Sequence, residues 1–234
     1  MDNNFFVINL GGSLIAPDGV DINFLAEFKK LLVEQIENKN QRFMLITGGG
    51  ATARAYQSSI DKIIKNPKDE DKDWIGIHAT RLNANLVRLI FGEYAYPRIN
   101  TNPYDIEDFY LCKDPIMIAA GWKPGFSTDY DTVLIAKFMN TKKVVNLSNI
   151  SYIYDKDPNK HVDAKKLINI SWGEYREMID SKWHPGMHAP FDPIAAKFAD
   201  EQNLEVVTIS GKDLDNFKRY LNGESFNGST ISND

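Results

Sequence analysis

The sequence predicts an α/β protein: a three-layer αβα sandwich around a mostly parallel central sheet. Short, nearly continuous apolar runs alternate with amphipathic stretches, and glycine clusters close three of those runs. Uninterrupted apolar strands imply burial on both faces, which crossover helices above and below a parallel sheet provide. No fixed-period repeat or low-complexity block breaks the alternation.

The elements follow in order. Phe5-Phe6-Val7-Ile8-Asn9-Leu10 reads as a buried strand ended by Gly11-Gly12. Phe24, Leu25, Phe28, Leu31, Leu32, Gln35 and Ile36 recur at helical spacing behind the candidate cap Asp21. Phe43 to Thr47 is a second strand, stopped by Gly48-Gly49-Gly50, and a helix from Ala51 to about Ile64 follows. Asn66 to Lys72 reads as a charged, solvated loop, and Trp74 to Phe91 as a long helix. Asn100 to Pro103 is a turn-rich connector. Further strands are expected at Pro115 to Ala119, Lys143 to Leu147 and Glu205 to Ser210, with helices after Ser127 and Asp192. The polar segment Tyr154 to His161 reads as an exposed loop or hairpin.

Composition narrows the function. The chain has 234 residues, with 27 Lys and Arg against 32 Asp and Glu and a net charge of −5. That balance disfavours non-specific binding to nucleic-acid polymers, which draws on basic surfaces. A chain of this length buries roughly 70–75% of its unfolded surface and needs no metal or disulfide for stability. Cys112 is the lone cysteine, so neither a disulfide framework nor a Cys-rich zinc site is expected. No apolar run approaches the ~20 residues of a membrane span. Met1 to Asn4 shows no basic leader, so the expected compartment is the cytoplasm. No composition shift demands a domain boundary; residues 1–234 are expected to form a single domain with a soft division near 120–140.

The glycine clusters carry the chemistry. Gly11-Gly12-Ser13, Gly48-Gly49-Gly50 and Gly121 with Gly125 each follow a predicted strand. In an open parallel sheet these strand ends share one edge, where ligands bind. Glycine admits an anion close to the backbone, and the next helix start offers free N–H groups. Three such loops suggest a site for several phosphates, although each cluster alone also serves as a plain strand-to-helix turn. Neither G-x-x-x-x-G-K-[ST] nor a strand-borne G-x-G-x-x-G is present. His184 and His188 have helical metal-pair spacing, but Pro185-Gly186 lies between them and no third ligand is evident, so no metal site is expected.

In these blocks the chain resembles the amino-acid kinase superfamily, and within it the archaeal-type uridylate (UMP) kinases. The resemblance rests on V-I-N-L-G-G-S at Val7 to Ser13, T-G-G-G-A-T-A-R at Thr47 to Arg54 and D-W-I-G-I-H-A-T-R-L-N-A at Asp73 to Ala84. It continues through G-W-K-P-G-F-S-T-D at Gly121 to Asp129, Y-I-Y-D-K-D-P at Tyr152 to Pro158 and F-D-P-I-A-A-K at Phe191 to Lys197, and ends at N-G-S-T-I, Asn227 to Ile231, as a closing strand. It implies the amino-acid kinase fold, with an N-terminal acceptor half and a C-terminal ATP half. The implied activity is transfer of the γ-phosphoryl of ATP, with Mg²⁺, to UMP. Members commonly form hexamers, so a homo-oligomer is expected.

The site residues carry over by position. Asn9, Leu10, Gly11, Gly12 and Ser13 match the ATP loop. Gly48 and Gly49 match the glycines against the acceptor and the transferring phosphate, and Arg54 matches that loop's arginine. Asp73 matches the acid that contacts UMP, though it also fits as the cap of a helix starting at Trp74. Trp122, Lys123, Pro124, Gly125, Phe126, Ser127 and Thr128 match the segment around uridine and its phosphate; Ser127 also fits as an N-cap. Ser148, Asn149, Tyr154 and Asp157 match adenosine positions, and Asp192 an acid of the phosphoryl site that also fits as a helix cap. Catalytic roles are expected for Arg54, Gly12, Gly49 and Asp192.

The chain departs from the pattern at defined places. Asn9 stands where many members carry lysine, which removes a cation from the phosphoryl site. The second lysine that some members carry after a G-M pair is missing after Gly186-Met187. Tyr130 and Asp131 stand where small apolar residues are more usual, and Ile150-Ser151-Tyr152 replaces V-D-G. Two alternatives stay open: another small-molecule kinase of the superfamily, and a non-catalytic nucleotide- or anion-binding homologue.

Overall fold

The computed structural model describes residues 4–105, 107–158, 160–179 and 189–233. His184, His188 and the Gly186-Met187 pair lie outside the described residues. In chain order the elements are β1 (Phe5–Leu10), α1 (Gly12–Ile15), α2 (Ile22–Lys39), β2 (Arg42–Thr47), α3 (Gly50–Ile63), α4 (Asp69–Phe91), β3 (Ala95–Asn100), α5 (Glu107–Leu111), β4 (Ile116–Ala119), α6 (Thr128–Phe138), β5 (Lys143–Ser148), β6 (Ile153–Tyr154), β7 (Lys166–Leu167), β8 (Asn169–Ile170), α7 (Trp172–Met178), α8 (Pro193–Glu201), β9 (Glu205–Ser210), α9 (Leu214–Leu221) and β10 (Ser229–Ile231). Eight strands form one sheet in the order β3-β4-β2-β1-β5-β9-β10-β8, and β6 pairs with β7 in a separate hairpin. Every pairing in the large sheet is parallel except β9 with β10.

Alternation along the strands makes the three layers, because successive side chains leave opposite faces of a pleated sheet. Val7, Met44, Ile46, Met117, Val144 and Val206 meet buried side chains of α6, α7 and α8. Ile8, Leu10, Phe43, Leu45, Ile118 and Val145 meet those of α2, α4 and α9. The cap read at Asp21 is present: its side chain accepts from Phe24 N at 2.9 Å. No helix among the described residues is long and apolar enough to cross a membrane.

Three expectations are corrected. Asn66 to Lys72 is not all loop, since α4 begins at Asp69. Asp69, Glu70 and Asp71 occupy its first turn, where carboxylates offset the positive end of the helix dipole. Asp73 therefore lies inside the helix and does not cap it. A strand absent from the sequence reading, β3, forms the sheet edge; it contains Pro97, and an edge strand tolerates the missing N–H. Helices α7 and α9 are also additional. The first is closed by a capping box in which Ser171 and Glu174 exchange backbone hydrogen bonds.

Helix α7 fixes the chain next to the site. Tyr175 is fully buried; its hydroxyl donates to Phe191 O at 2.6 Å and accepts from Phe191 N at 2.7 Å. Tyr175→Phe strips both partners from buried backbone groups, and the expected loss is about 1–3 kcal/mol. Urea unfolding of the two proteins measures it, and an unchanged midpoint contradicts this role.

Candidate functional site

A cleft of about 980 Å³ opens where the sequence places the glycine loops. The sheet order sets its layout. β4, β2, β1 and β5 are adjacent and parallel, so the segments leaving their C-terminal ends lie side by side. These are Gly121–Thr128, Gly48–Gly50, Gly11–Ser13 and Ser148–Asp157. Such volume sits at the upper end of the roughly 300–1,000 Å³ usual for small-molecule sites.

The two central loops interlock through backbone alone. A Cβ on Gly12 would stand 2.1 Å from Gly50 N and 2.7 Å from Gly49 N; one on Gly50, whose φ is +66°, would stand 2.3 Å from Gly12 O. Gly48 N donates to Leu10 O at 2.9 Å, Gly11 N to Leu147 O at 2.9 Å, and Ala51 N to Ala16 O at 2.8 Å. These glycines thus have a structural duty whatever they bind. Asn83 Nδ2 supports the junction from α4 by donating to Gly48 O at 2.8 Å. Arg54, on the first turn of α3, donates from Nη1 to Ser13 Oγ at 3.4 Å and spans the two loops.

Under the junction lies a polar floor. Asn9 and Asn146 are register partners in β1 and β5, and both are buried. Asn9 Nδ2 donates to Asp129 Oδ1 at 2.6 Å and to Asn146 Oδ1 at 3.2 Å. Asp129 Oδ2 accepts from Asp192 N at 2.9 Å. Asp192 caps α8 by accepting from Ile194 N and Ala195 N at 2.7 and 2.9 Å, and it also accepts the Ser127 hydroxyl. Ser127 in turn caps α6, its Oγ accepting from Tyr130 N at 3.1 Å. Desolvation, with Asp192 adding like charge, raises the pKa of Asp129 above the usual aspartate range; desolvation raises Asp192 as well. Each carboxyl, buried in this floor, holds its proton more tightly than an isolated aspartate.

The expected residues divide into two groups. Asn9, Gly11, Gly12, Ser13, Gly48, Gly49, Arg54, Asp73, Phe126, Ser127, Thr128, Ser148, Asn149, Tyr154 and Asp157 all line the cleft. Leu10, Trp122, Lys123, Pro124, Gly125 and Asp192 do not. The Leu10 side chain belongs to the core, and the Lys123 ammonium rests 4.0 Å from the Trp122 ring centroid. Ser127 spends its one hydroxyl proton on Asp192, so it has none to give a ligand while that bond stands. Asp73 braces the Gly121–Thr128 segment, accepting from Gly125 N at 2.7 Å; burial raises its pKa. Phe126 stacks on Trp122 at 5.4 Å and on Tyr130 at 4.6 Å. Among the described lining residues the cations are Arg54 and Lys156, and the Lys156 ammonium pairs with Asp163 at 2.6 Å.

Sequence reasoning missed Asp129 and Asn146 as site residues, and Thr80, Arg81 and Asn83 as individual supports. A signal existed for Asn146: a polar side chain centred in an apolar strand, V-V-N-L, echoing V-I-N-L in β1. Among the described residues no group of three or more His, Cys, Asp or Glu is placed to hold a metal ion.

The model of the amino acid kinase family matches residues 4–210. The chain is 30% identical to a uridylate kinase of Methanobrevibacter smithii over 97% of this chain and 98% of the relative. It is 33% identical to a uridylate kinase of Thermoplasma volcanium, over 95% of each chain. Among solved structures, it superposes on a uridylate kinase from Archaeoglobus fulgidus with a TM-score of 0.79 at 24% identity, covering 98% of this chain and all of that one. A UMP kinase from Bacillus anthracis gives a TM-score of 0.79 at 18% identity, over 99% and 96% of the two chains. At these identities the structures show a shared fold.

Two outcomes test the site's construction. Gly12→Ala sets a methyl against backbone that has no side chain to move; the expected result is a loss of more than about 2 kcal/mol, read by thermal unfolding. A tolerated alanine contradicts the interlock. Asp131, fully buried beside the floor, is pushed from the ordinary 3.8 up to about 8, first by desolvation and further by Asp192 and Asp129. A carboxyl with a raised folded pKa binds its proton more tightly when folded, so its contribution is full below about pH 4 and is lost as pH climbs through 8. Relative to Asp131→Asn, the wild type should lose stability across that window; parallel stability curves contradict the shift.

Proposed function

The chain belongs to the amino acid kinase family, and on that premise we propose that it is a uridylate kinase, moving the γ-phosphoryl of ATP to UMP to give UDP and ADP. One observation carries this reading. The sheet order sets a glycine junction between two halves of one cleft, with the Asp73 and Phe126 side on one flank and the Ser148 to Asp157 side on the other. Two ligands entering from the flanks meet over backbone N–H groups, which suits phosphate meeting phosphate. The relatives named uridylate kinase match nearly the whole chain, which favours UMP as the acceptor.

The mechanism asks little of side chains. The acceptor phosphate is already ionised at neutral pH, so neither a nucleophilic side chain nor a general base is required. Phosphoryl transfer rests on positioning and on charge stabilisation. The starts of α3 and α6 face the cleft through Gly49, Gly50, Ser127 and Thr128, and favour anions there. Arg54, which donates to the Ser13 hydroxyl and pairs with no carboxylate among the described residues, supplies a guanidinium whose planar fork suits the oxygens of the transferring group. Asn9 places a neutral amide where many relatives have an ammonium, which makes Arg54 matter more. Mg²⁺ enters with ATP as part of that substrate. The family's oligomeric habit makes a homo-oligomer part of the proposal.

An assay of purified protein with Mg²⁺ and ATP against UMP, CMP, isopentenyl phosphate and amino acids tests the reading. UMP should give the highest kcat/KM; failure with UMP alone among them overturns it. Arg54→Ala should lower kcat with UMP by at least about a hundredfold, with Arg54→Lys intermediate. The missing lysine at Asn9 favours a second reading, a nucleotide binder without turnover. ATP and UMP binding with no ADP release from the wild type would select it.

A further inference from the structure

The segment Gly121 to Thr128 has no secondary structure until α6 begins, yet its backbone is tied down at nearly every turn. Gly121 N donates to Thr80 Oγ1 at 2.8 Å. The carbonyl of Gly121 accepts from Arg81 Nη2 at 3.2 Å and Nε at 3.3 Å, and that of Trp122 accepts from Nη2 at 3.1 Å. The N–H of Trp122 donates to Asp131 Oδ2 at 3.1 Å. Further along, Gly125 N donates to Asp73 Oδ2 at 2.7 Å.

Three of these bonds act on one peptide unit. The Gly121 carbonyl and the Trp122 N–H belong to the same amide, with a guanidinium at its oxygen and a carboxyl at its hydrogen. A guanidinium at the amide oxygen and a carboxyl oxygen at the amide hydrogen polarise that amide in the same sense, which strengthens the bonds at both ends. Asp131 has little else to do. It is 0% exposed, its Oδ1 has no hydrogen-bond partner, and desolvation works against it. A carboxyl buried with one backbone partner is a poor device for stability.

We propose that Asp131 is a positioning residue: through the Gly121–Trp122 peptide it fixes the segment that receives the acceptor, and so sets acceptor affinity. The geometry gives the reason. Phe126, four residues on, presents to the cleft a ring stacked between Trp122 and Tyr130. A shift of the Trp122 backbone therefore moves the wall against which the acceptor packs. Among the described residues the Asp131 side chain bonds to the Trp122 N–H and not to the Ser148 to Asp157 flank, so the donor should not feel its loss. The proposal rests on the uridylate kinase reading for the acceptor's identity, not for the clamp.

The test compares Asp131→Ala with Asp131→Asn. Asparagine keeps an oxygen for the Trp122 N–H, and alanine does not. In Asp131→Ala the KM for UMP should rise about tenfold, while kcat and the KM for ATP stay within about twofold. Asp131→Asn should restore the KM for UMP to within about threefold of wild type. Hydrogen exchange of the folded proteins, read at the Trp122 amide, should accelerate at least about tenfold in the alanine variant and little in the asparagine variant. An unchanged KM for UMP in Asp131→Ala overturns the proposal, as does an equal rise in both KM values, which marks a general loosening. Should the wild type fail to phosphorylate UMP, the functional reading falls separately, and amide exchange still decides the clamp: unchanged protection at Trp122 in Asp131→Ala sinks it.

Discussion

The rest of the structure depends on two glycine loops meeting backbone to backbone. No side chain fits between Gly12 and Gly50, so the ends of β1 and β2 are held at a fixed distance by main-chain atoms alone. From that contact the other features follow. The first turn of α3 is aimed across the junction, Arg54 is set over Ser13, and Asn83 closes the structure from below. A side chain at either glycine would part the loops and open a gap where two reactants should meet. Glycine can make room for a phosphate; here it makes room for the neighbouring loop.

Polar groups in an apolar sheet are the second device. Asn9 and Asn146 break otherwise apolar strands at the same register, and each links the sheet to a neighbouring segment: Asn9 to Asp129 on α6, and Asn146 to Pro190 O at 2.9 Å, ahead of α8. Asp129, Asp192 and Ser127 then join the starts of α6 and α8. Burying such groups is costly unless they satisfy one another, and a connected set specifies one arrangement of these helices over the sheet. The net charge of −5 needs no basic surface to offset it. Under the proposed function a small anion would need only local N–H groups and one guanidinium, whereas a polymer would need an extended positive face.

How much was legible follows from the kind of signal each part leaves. The buried strands were readable because both faces are covered and the runs are apolar throughout. Edge strand β3 was not, because its A-Y-P-R-I-N mixes proline, arginine and aromatic residues, as a half-exposed edge allows. The start of α4 was hidden because three acids look like a solvated loop, although the same acids suit a helix N-terminus. Helix α7 had a readable signature, S-W-G-E at Ser171 to Glu174, on a segment too short to show helical periodicity. Residues lining the cleft were mostly legible through the resemblance, because they sit in short blocks. The supports Asp129, Asp131 and Arg81 were not, because their roles exist only as contacts between segments distant in sequence.

The most direct test of the account is a crystal structure with UMP and a non-hydrolysable ATP analogue bound. The account predicts uracil against the Gly121 to Thr128 segment, adenine against Ser148 to Asp157, and the two phosphate groups meeting over Gly12 and Gly49 with Arg54 in contact. UMP bound elsewhere, or phosphates held away from the glycine junction, contradicts it.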